Sequence, residues 1–447
     1  MKKKTLCIIM TILIAASAIG CGSVVTNESI TDADGGMTDG TRKSTGTGAE
    51  TAATAGAGFD DDAPVMNITE DSYAAADVEA SPMAEAAETD PSAVKGTDDE
   101  SEKRDLPEAG QLTAGEWNDN ENWGFFSNLV NSGKIAFPSF GLDPIHRVTV
   151  EAKDKSGKPL ANAKAVLTDK SGKTLFSGVT NKDGIAYLFG NGDNSYDVEV
   201  SLGSASQKVS VQGGGNSGQT KTEDVKDNAN DLNAQVVLDT DSKPYKAMDI
   251  MFILDTTGSM SDEMLFLQSE FTAITQEIGT TDTRYAMNFY RDDGDEYITR
   301  CNDFTTDIKA IQKAINNESA DGGGDYPEAV AEVLKESVSN SSWKEDSVKL
   351  AFLIFDAPPH AEKAQEIAES VTAATEKGIR IIPVIASDSD RDTELFGRAA
   401  AIYTGGTYVF LTDDSGIGNS HEEPIIGSYE VKSLYDTIIE IVNNYRQ

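Results

Sequence analysis

Two apolar runs, Ile250 to Leu254 and Leu350 to Phe355, each stop at an aspartate. Runs of this kind, with no polar alternation, suit strands buried on both faces of a parallel sheet. Around them the period switches repeatedly between strand and helix. The pattern predicts a helix over 262–278, a strand over 284–292 and a short edge strand over 298–305 returning beside it. Helices are predicted over 307–318, 328–338 and 362–377, then a strand over 380–386, where Pro383 implies a bulge or an irregular end. A helix over 393–403, a last strand over 407–411 and an amphipathic closing helix over 430–445 complete the series. Strands separated by helices imply right-handed crossovers, so residues 246–447 are predicted to form an α/β, doubly wound, mainly parallel sheet.

Ahead of this region the pattern is different. Arg147 to Lys153 alternates with period two, and turn signals follow at 155–159, 170–173 and 182–184 at near-regular spacing. Residues 146–241 therefore read as a small all-β sandwich. A polar, glycine-rich excursion over 213–226 precedes its last strand at 232–238. The wording Gly157-Lys-Pro-Leu-Ala-Asn-Ala163 and Thr180-Asn-Lys-Asp-Gly-Ile-Ala-Tyr187 resembles carboxypeptidase-regulatory-like and bacterial immunoglobulin-like sandwiches. The lead-in over 111–145 concentrates Trp117, Trp123, Phe125 and Phe126. Such density predicts burial against the neighbouring domain, in no assigned conformation; a surface aromatic patch for a ligand is the alternative.

The first residues bear on compartment. Lys2 to Lys4 precede an apolar segment, Leu6 to Ile19, too short for an ordinary spanning helix. Ala18-Ile-Gly-Cys21 resembles the bacterial lipobox, which implies a signal peptide over 1–20 and lipidation of Cys21. A secretory signal cut near Ala18 is the alternative. Acyl chains contribute about 0.8 kcal/mol per buried methylene, so two or more give stable anchoring. The expected location is the extracytoplasmic face of a bacterial cell membrane. Residues 21–110 are rich in Ala, Thr, Ser, Gly, Asp and Glu, a composition that cannot offset its ordering entropy and predicts a disordered acidic tether. The formal net charge of −38, from 75 acidic and 37 basic residues, argues against a nucleic-acid partner. With Cys7 in the signal and Cys21 lipidated, Cys301 would be the remaining thiol, expected as a half-buried core residue of the edge strand.

Candidate chemistry follows the two apolar runs. Asp255-x-Thr257-x-Ser259 places a carboxylate and two hydroxyls at the carboxyl edge of the sheet, where open α/β folds bind ligands. These are hard oxygen donors suited to Mg²⁺, although a turn with a helix N-cap uses the same residue types. A glycine loop, Ala320-Asp-Gly-Gly-Gly-Asp325-Tyr-Pro-Glu328, and the strand end Asp356-Ala-Pro-Pro-His360 present further oxygens in the order expected of one shared edge.

With these three motifs the chain resembles the von Willebrand factor type A family from about Ala247 onward. The resemblance implies a metal-ion-dependent adhesion site. Asp255, Thr257 and Ser259 match its first loop, Asp325 its second and Asp356 its third. Together they would hold Mg²⁺, with Mn²⁺ or Ca²⁺ as substitutes. Asp325 departs from the commoner threonine and resembles the branch that includes hemicentin-type A domains. An added carboxylate should hold the cation more firmly and weaken its pull on a partner's carboxylate.

Other polar clusters rank lower. Asp292 to Glu296 reads as a solvated acidic turn, with a second cation site as the alternative. Residues 413–423 read as a rim loop beside the site. His360 is expected to start a helix and hydrogen-bond the loop of Asp356. Neither a His-Glu-x-x-His nor a Gly-x-Ser-x-Gly nor a Walker loop occurs, so a non-enzymatic role is expected. The resulting expectation is surface-anchored, cation-dependent binding or adhesion to a protein or envelope partner. The alternatives are a metal-dependent hydrolase using His360 and an assembly factor for an extracellular complex.

Overall fold

The computed structural model describes residues 107–213, 231–420 and 422–446. The signal peptide, Cys21, the tether up to residue 106, nearly all of the 213–226 excursion and His421 lie outside the described residues. The first strand, β1 (Thr113–Trp117), leads into helix α1 (Trp123–Asn131). Seven strands follow: β2 (Arg147–Lys153), β3 (Lys164–Thr168), β4 (Thr174–Val179), β5 (Ile185–Phe189), β6 (Ser195–Leu202), β7 (Ala205–Gln212) and β8 (Leu232–Val237). They form a three-stranded sheet, β5-β2-β8, and a four-stranded sheet, β4-β3-β6-β7. Val148, Val150, Leu167, Val198 and Val200 alternate inward from these strands and are fully buried in one apolar cluster.

The larger sheet begins with β9 (Ala247–Asp255), α2 (Met264–Ile278), β10 (Thr283–Tyr290), β11 (Thr299–Thr305) and α3 (Ile308–Asn316). It continues with α4 (Val330–Ser339), β12 (Ser347–Phe355), α5 (Ala364–Lys377), β13 (Ile379–Ile385) and α6 (Arg391–Thr404). The last elements are β14 (Tyr408–Leu411), β15 (Lys432–Ser433) and α7 (Leu434–Arg446). Eight strands lie in the order β11-β10-β9-β12-β13-β14-β1-β15. The five from β10 to β14 pair in parallel, whereas β11, β1 and β15 pair antiparallel. The result is a mixed sheet flanked by helices. Every residue of β12 and β13 is buried, as the unalternated apolar runs require of central strands.

Several expectations change. The strand β1, to which the sequence assigned no conformation, inserts into the large sheet, with Ala114 opposite Leu411 and Trp117 opposite Tyr408. Pro383 causes no bulge: β13 stays in register with β12, and its pairing with β14 begins only at Val384. The proline thus precedes the ladder in which its missing N–H would be felt. Cys301 is exposed on β11, not half-buried in the core, because the edge strand turns most of its side chains to solvent.

Strong contacts tie the small sheets to the large one. The Tyr403 ring of α6 stacks on Phe189 of β5 with centroids 4.4 Å apart. Arg380 donates to the Val179 carbonyl at 2.8 Å, and Ser177 donates to Glu376 at 2.7 Å. Of the four lead-in aromatics two are buried: Trp123 and Phe126, with Leu129, join the same cluster as Phe396 and Ile402, whereas Trp117 is half-buried and Phe125 is exposed. Beneath it, Arg398 is fully buried and makes a two-pronged contact with Asp119, both distances 2.8 Å, while Glu394 accepts a third bond at 2.8 Å.

Candidate metal centre at the carboxyl edge of the sheet

The parallel register of β9 and β12 sets Leu254 level with Ile354. Asp255, the last residue of β9, and Asp356, just past β12, therefore emerge side by side on one sheet edge. Asp255 is fully buried and Asp356 nearly so. One oxygen of Asp255, Oδ1, accepts the Thr257 N–H at 2.9 Å and the Thr257 hydroxyl at 2.7 Å. The Thr257 and Ser259 hydroxyls lie 3.2 Å apart. Ser259 is exposed.

The remaining oxygens of the two aspartates are more informative. Oδ2 of Asp255 and Oδ1 of Asp356 are buried and have no hydrogen-bond partner. A buried, unpaired carboxylate oxygen is costly unless a proton or a cation compensates it. Burial pushes Asp255 up to about 6. Burial and then the neighbouring Asp255 charge push Asp356 up to about 8. Hard, buried, uncompensated oxygens beside two hydroxyls fit a small divalent cation. Among the described residues no three acidic, histidine or cysteine side chains form a metal-holding group alone, so a cation here has to draw on Thr257 and Ser259.

The glycine loop packs directly on the first loop. The Gly258 N–H donates to the Gly322 carbonyl at 3.1 Å and the Asp321 N–H to the Thr256 carbonyl at 3.1 Å. Asp325 is exposed, and its charge is felt at His360. Three residues later, Glu328 is buried, with Oε2 unpartnered. Burial, then the charges of Asp255, Asp292 and Asp356, push Glu328 up to about 9. Glu328 belongs to the quoted glycine motif, yet nothing local separates it from an ordinary acid at a helix start. Tyr326 joins the loops: its hydroxyl accepts the Asp390 N–H at 3.0 Å and donates to the Asp356 carbonyl at 3.3 Å.

The acidic turn after β10 differs from the solvated turn expected. Asp292 is buried and lies 2.8 Å from Nε2 of His360, while Asp295 accepts the Gly323 N–H at 2.9 Å. His360 therefore reaches a residue far away in sequence, not the loop of Asp356. Burial disfavours its charge, but the Asp292 carboxylate outweighs this and leaves its pKa raised. Beyond β14, Asn419 donates to Asp388 at 2.7 Å, which sets this residue against the loop after β13.

Residues 249–416 match the von Willebrand factor A domain family, so this part of the chain is an A domain. Similar proteins include an ariadne-like RING finger protein of Acanthamoeba polyphaga mimivirus, 27% identical over 210 residues, or 42% of this chain. Another is the alpha-protein kinase vwkA of Dictyostelium discoideum, 24% identical over 142 residues, or 30% of this chain. The chain spans only 20% and 22% of the length of these relatives. Similar solved structures include BatB from Bacteroides thetaiotaomicron, at 14% identity and a TM-score of 0.34, covering 44% of this chain and 98% of that one. An aerotolerance-related membrane protein from Bacteroides fragilis is 13% identical with a TM-score of 0.31, covering 44% of this chain and all of that one. At these scores neither likeness bears on what the chain does.

Proposed function

We propose that this protein is a lipid-anchored bacterial surface protein whose A domain binds a protein or envelope partner in a cation-dependent way. The observation that carries the reading is the pair of buried, unpartnered oxygens of Asp255 and Asp356 beside the Thr257 and Ser259 hydroxyls. In this reading these four residues hold Mg²⁺, directly or through water, and the glycine loop adds a carboxylate. A cation held there would neutralise the acidic edge and supply an attachment point for an oxygen donor of a partner. The chain's own part is to fix the loops: Asp255 turns the first loop through its bonds to Thr257, and Tyr326 fastens the second loop to the third. A carboxylate-rich shell leaves the cation a weak attractor for an acidic ligand, so the reading favours neutral or hydroxyl donors on the partner.

The role is non-enzymatic in this reading, which rests on the lack of His-Glu-x-x-His, Gly-x-Ser-x-Gly and Walker motifs in the sequence. The immunoglobulin-like sandwich over 146–241 acts as a support, and residues 21–110 as the tether from Cys21. Capture from envelope extract, with and without Mg²⁺, tests the binding claim; recovery of the same partner in EDTA would count against it. The anchor has its own test. Cys21→Ser should shift the protein to the soluble fraction, and a variant that still sediments with membranes after signal removal would disprove the lipid anchor.

A further inference from the structure

Resting on the metal-site reading above, the geometry points to Glu328, not Asp325, as the glycine-loop carboxylate that faces the cation. Three observations place it there. Glu328 is only 3% exposed, and its Oε2 has no hydrogen-bond partner, whereas Asp325 is exposed to solvent. A Cβ built on Gly323 would lie 2.9 Å from Oε1 of Glu328 and 3.3 Å from Cβ of Thr257. The Glu328 carboxylate and the first-loop hydroxyl residue thus border the same small space, left open because position 323 has no side chain. The backbone then fixes this placement: the Glu328 N–H donates to the Pro358 carbonyl at 3.0 Å, just beyond Asp356, while Gly323 is held by Asp295.

The charge arrangement points the same way. After burial itself, the charges acting most on Glu328 are those of Asp255, Asp292, Asp356 and Asp295. A carboxylate buried beside these acids is unfavourable by itself, and a divalent ion held by Asp255, Asp356 and the Thr257 and Ser259 hydroxyls would offset its charge from the neighbouring loop without Glu328 completing a three-carboxylate group. Asp325 then belongs to the rim.

Calorimetric titration of Mg²⁺ into the full protein separates the possibilities, using wild type, Glu328→Gln, Asp325→Asn and Asp255→Asn. Glutamine keeps the shape of Glu328 and removes its charge. Glu328→Gln should weaken Mg²⁺ binding by about tenfold or more, the range seen when a metal's supporting carboxylate is lost, with Asp325→Asn close to wild type. Thermal melts in EDTA accompany the titration, and Glu328→Gln should melt no lower than wild type there, which separates lost affinity from misfolding. Wild-type affinity in Glu328→Gln, with the loss falling on Asp325→Asn instead, overturns the proposal. Unchanged binding by Asp255→Asn overturns the site reading itself, a different failure.

Discussion

Three carboxyl groups at the sheet edge have pKa values raised by burial: Asp255 to about 6, Asp356 to about 8 and Glu328 to about 9. In an unfolded chain they would titrate near 4. Between these limits the metal-free folded state binds more protons than the unfolded one, so its stability falls as pH rises. The contribution is complete below about pH 4 and is lost progressively up to about pH 9. In EDTA the melting temperature should therefore decline from pH 5 to 9, and saturating Mg²⁺ should flatten the decline by replacing the protons. A level profile in EDTA would show that these carboxyls are not buried as described. At this scale the sequence was a partial guide. Asp255, Thr257, Ser259 and Asp356 follow directly from strand ends, because parallel register brings such ends together. Glu328 and the His360–Asp292 contact depend on how the loops after β9, β10 and β12 and the loop between α3 and α4 fold over one another, which no local spacing encodes.

Central elements are written plainly in the chain, and edge elements are not. β9, β12 and β13 are buried on both faces, so their apolar runs carry the signal; β11 lies at the edge, where Cys301 faces solvent. The strand β1 is the extreme case. Thr-Ala-Gly-Glu-Trp shows no strand period, and it becomes a strand only because β14, far along the chain, offers a free edge. Its glycine is required by that docking. A Cβ on Gly115 would lie 2.5 Å from Cζ of Phe410 and 2.7 Å from Cδ2 of Tyr429. Gly115→Val should lower stability by about 1–3 kcal/mol through overpacking, read by urea denaturation. Equal midpoints would mean that β1 docks loosely.

For the molecule beyond residue 106, the lead-in acts as a connector between the small sheets and the A domain. Arg147 of β2 donates to the Asn120 carbonyl at 3.0 Å and lies 3.8 Å above the Trp123 ring, while Asp119 neutralises buried Arg398 of α6. Asp119→Ala leaves that guanidinium with Glu394 as its remaining acidic partner. Because Glu394 still compensates the guanidinium, the loss should stay below about 3–5 kcal/mol, the cost of a buried charge left without any partner, and the small sheets and A domain should still melt in one transition. Two separated transitions in the wild type, followed by calorimetry, would show that the sheets fold independently.

In the proposed reading a divalent cation binds at the edge defined by Asp255 and Asp356. Electron paramagnetic resonance of Mn²⁺ added to the protein counts bound ions directly, since free Mn²⁺ gives the sharp signal that binding removes. One tight Mn²⁺ per chain, displaced by Mg²⁺ and lost in Asp255→Ala, is the expected result. The same Mn²⁺ uptake by wild type and Asp255→Ala would contradict it.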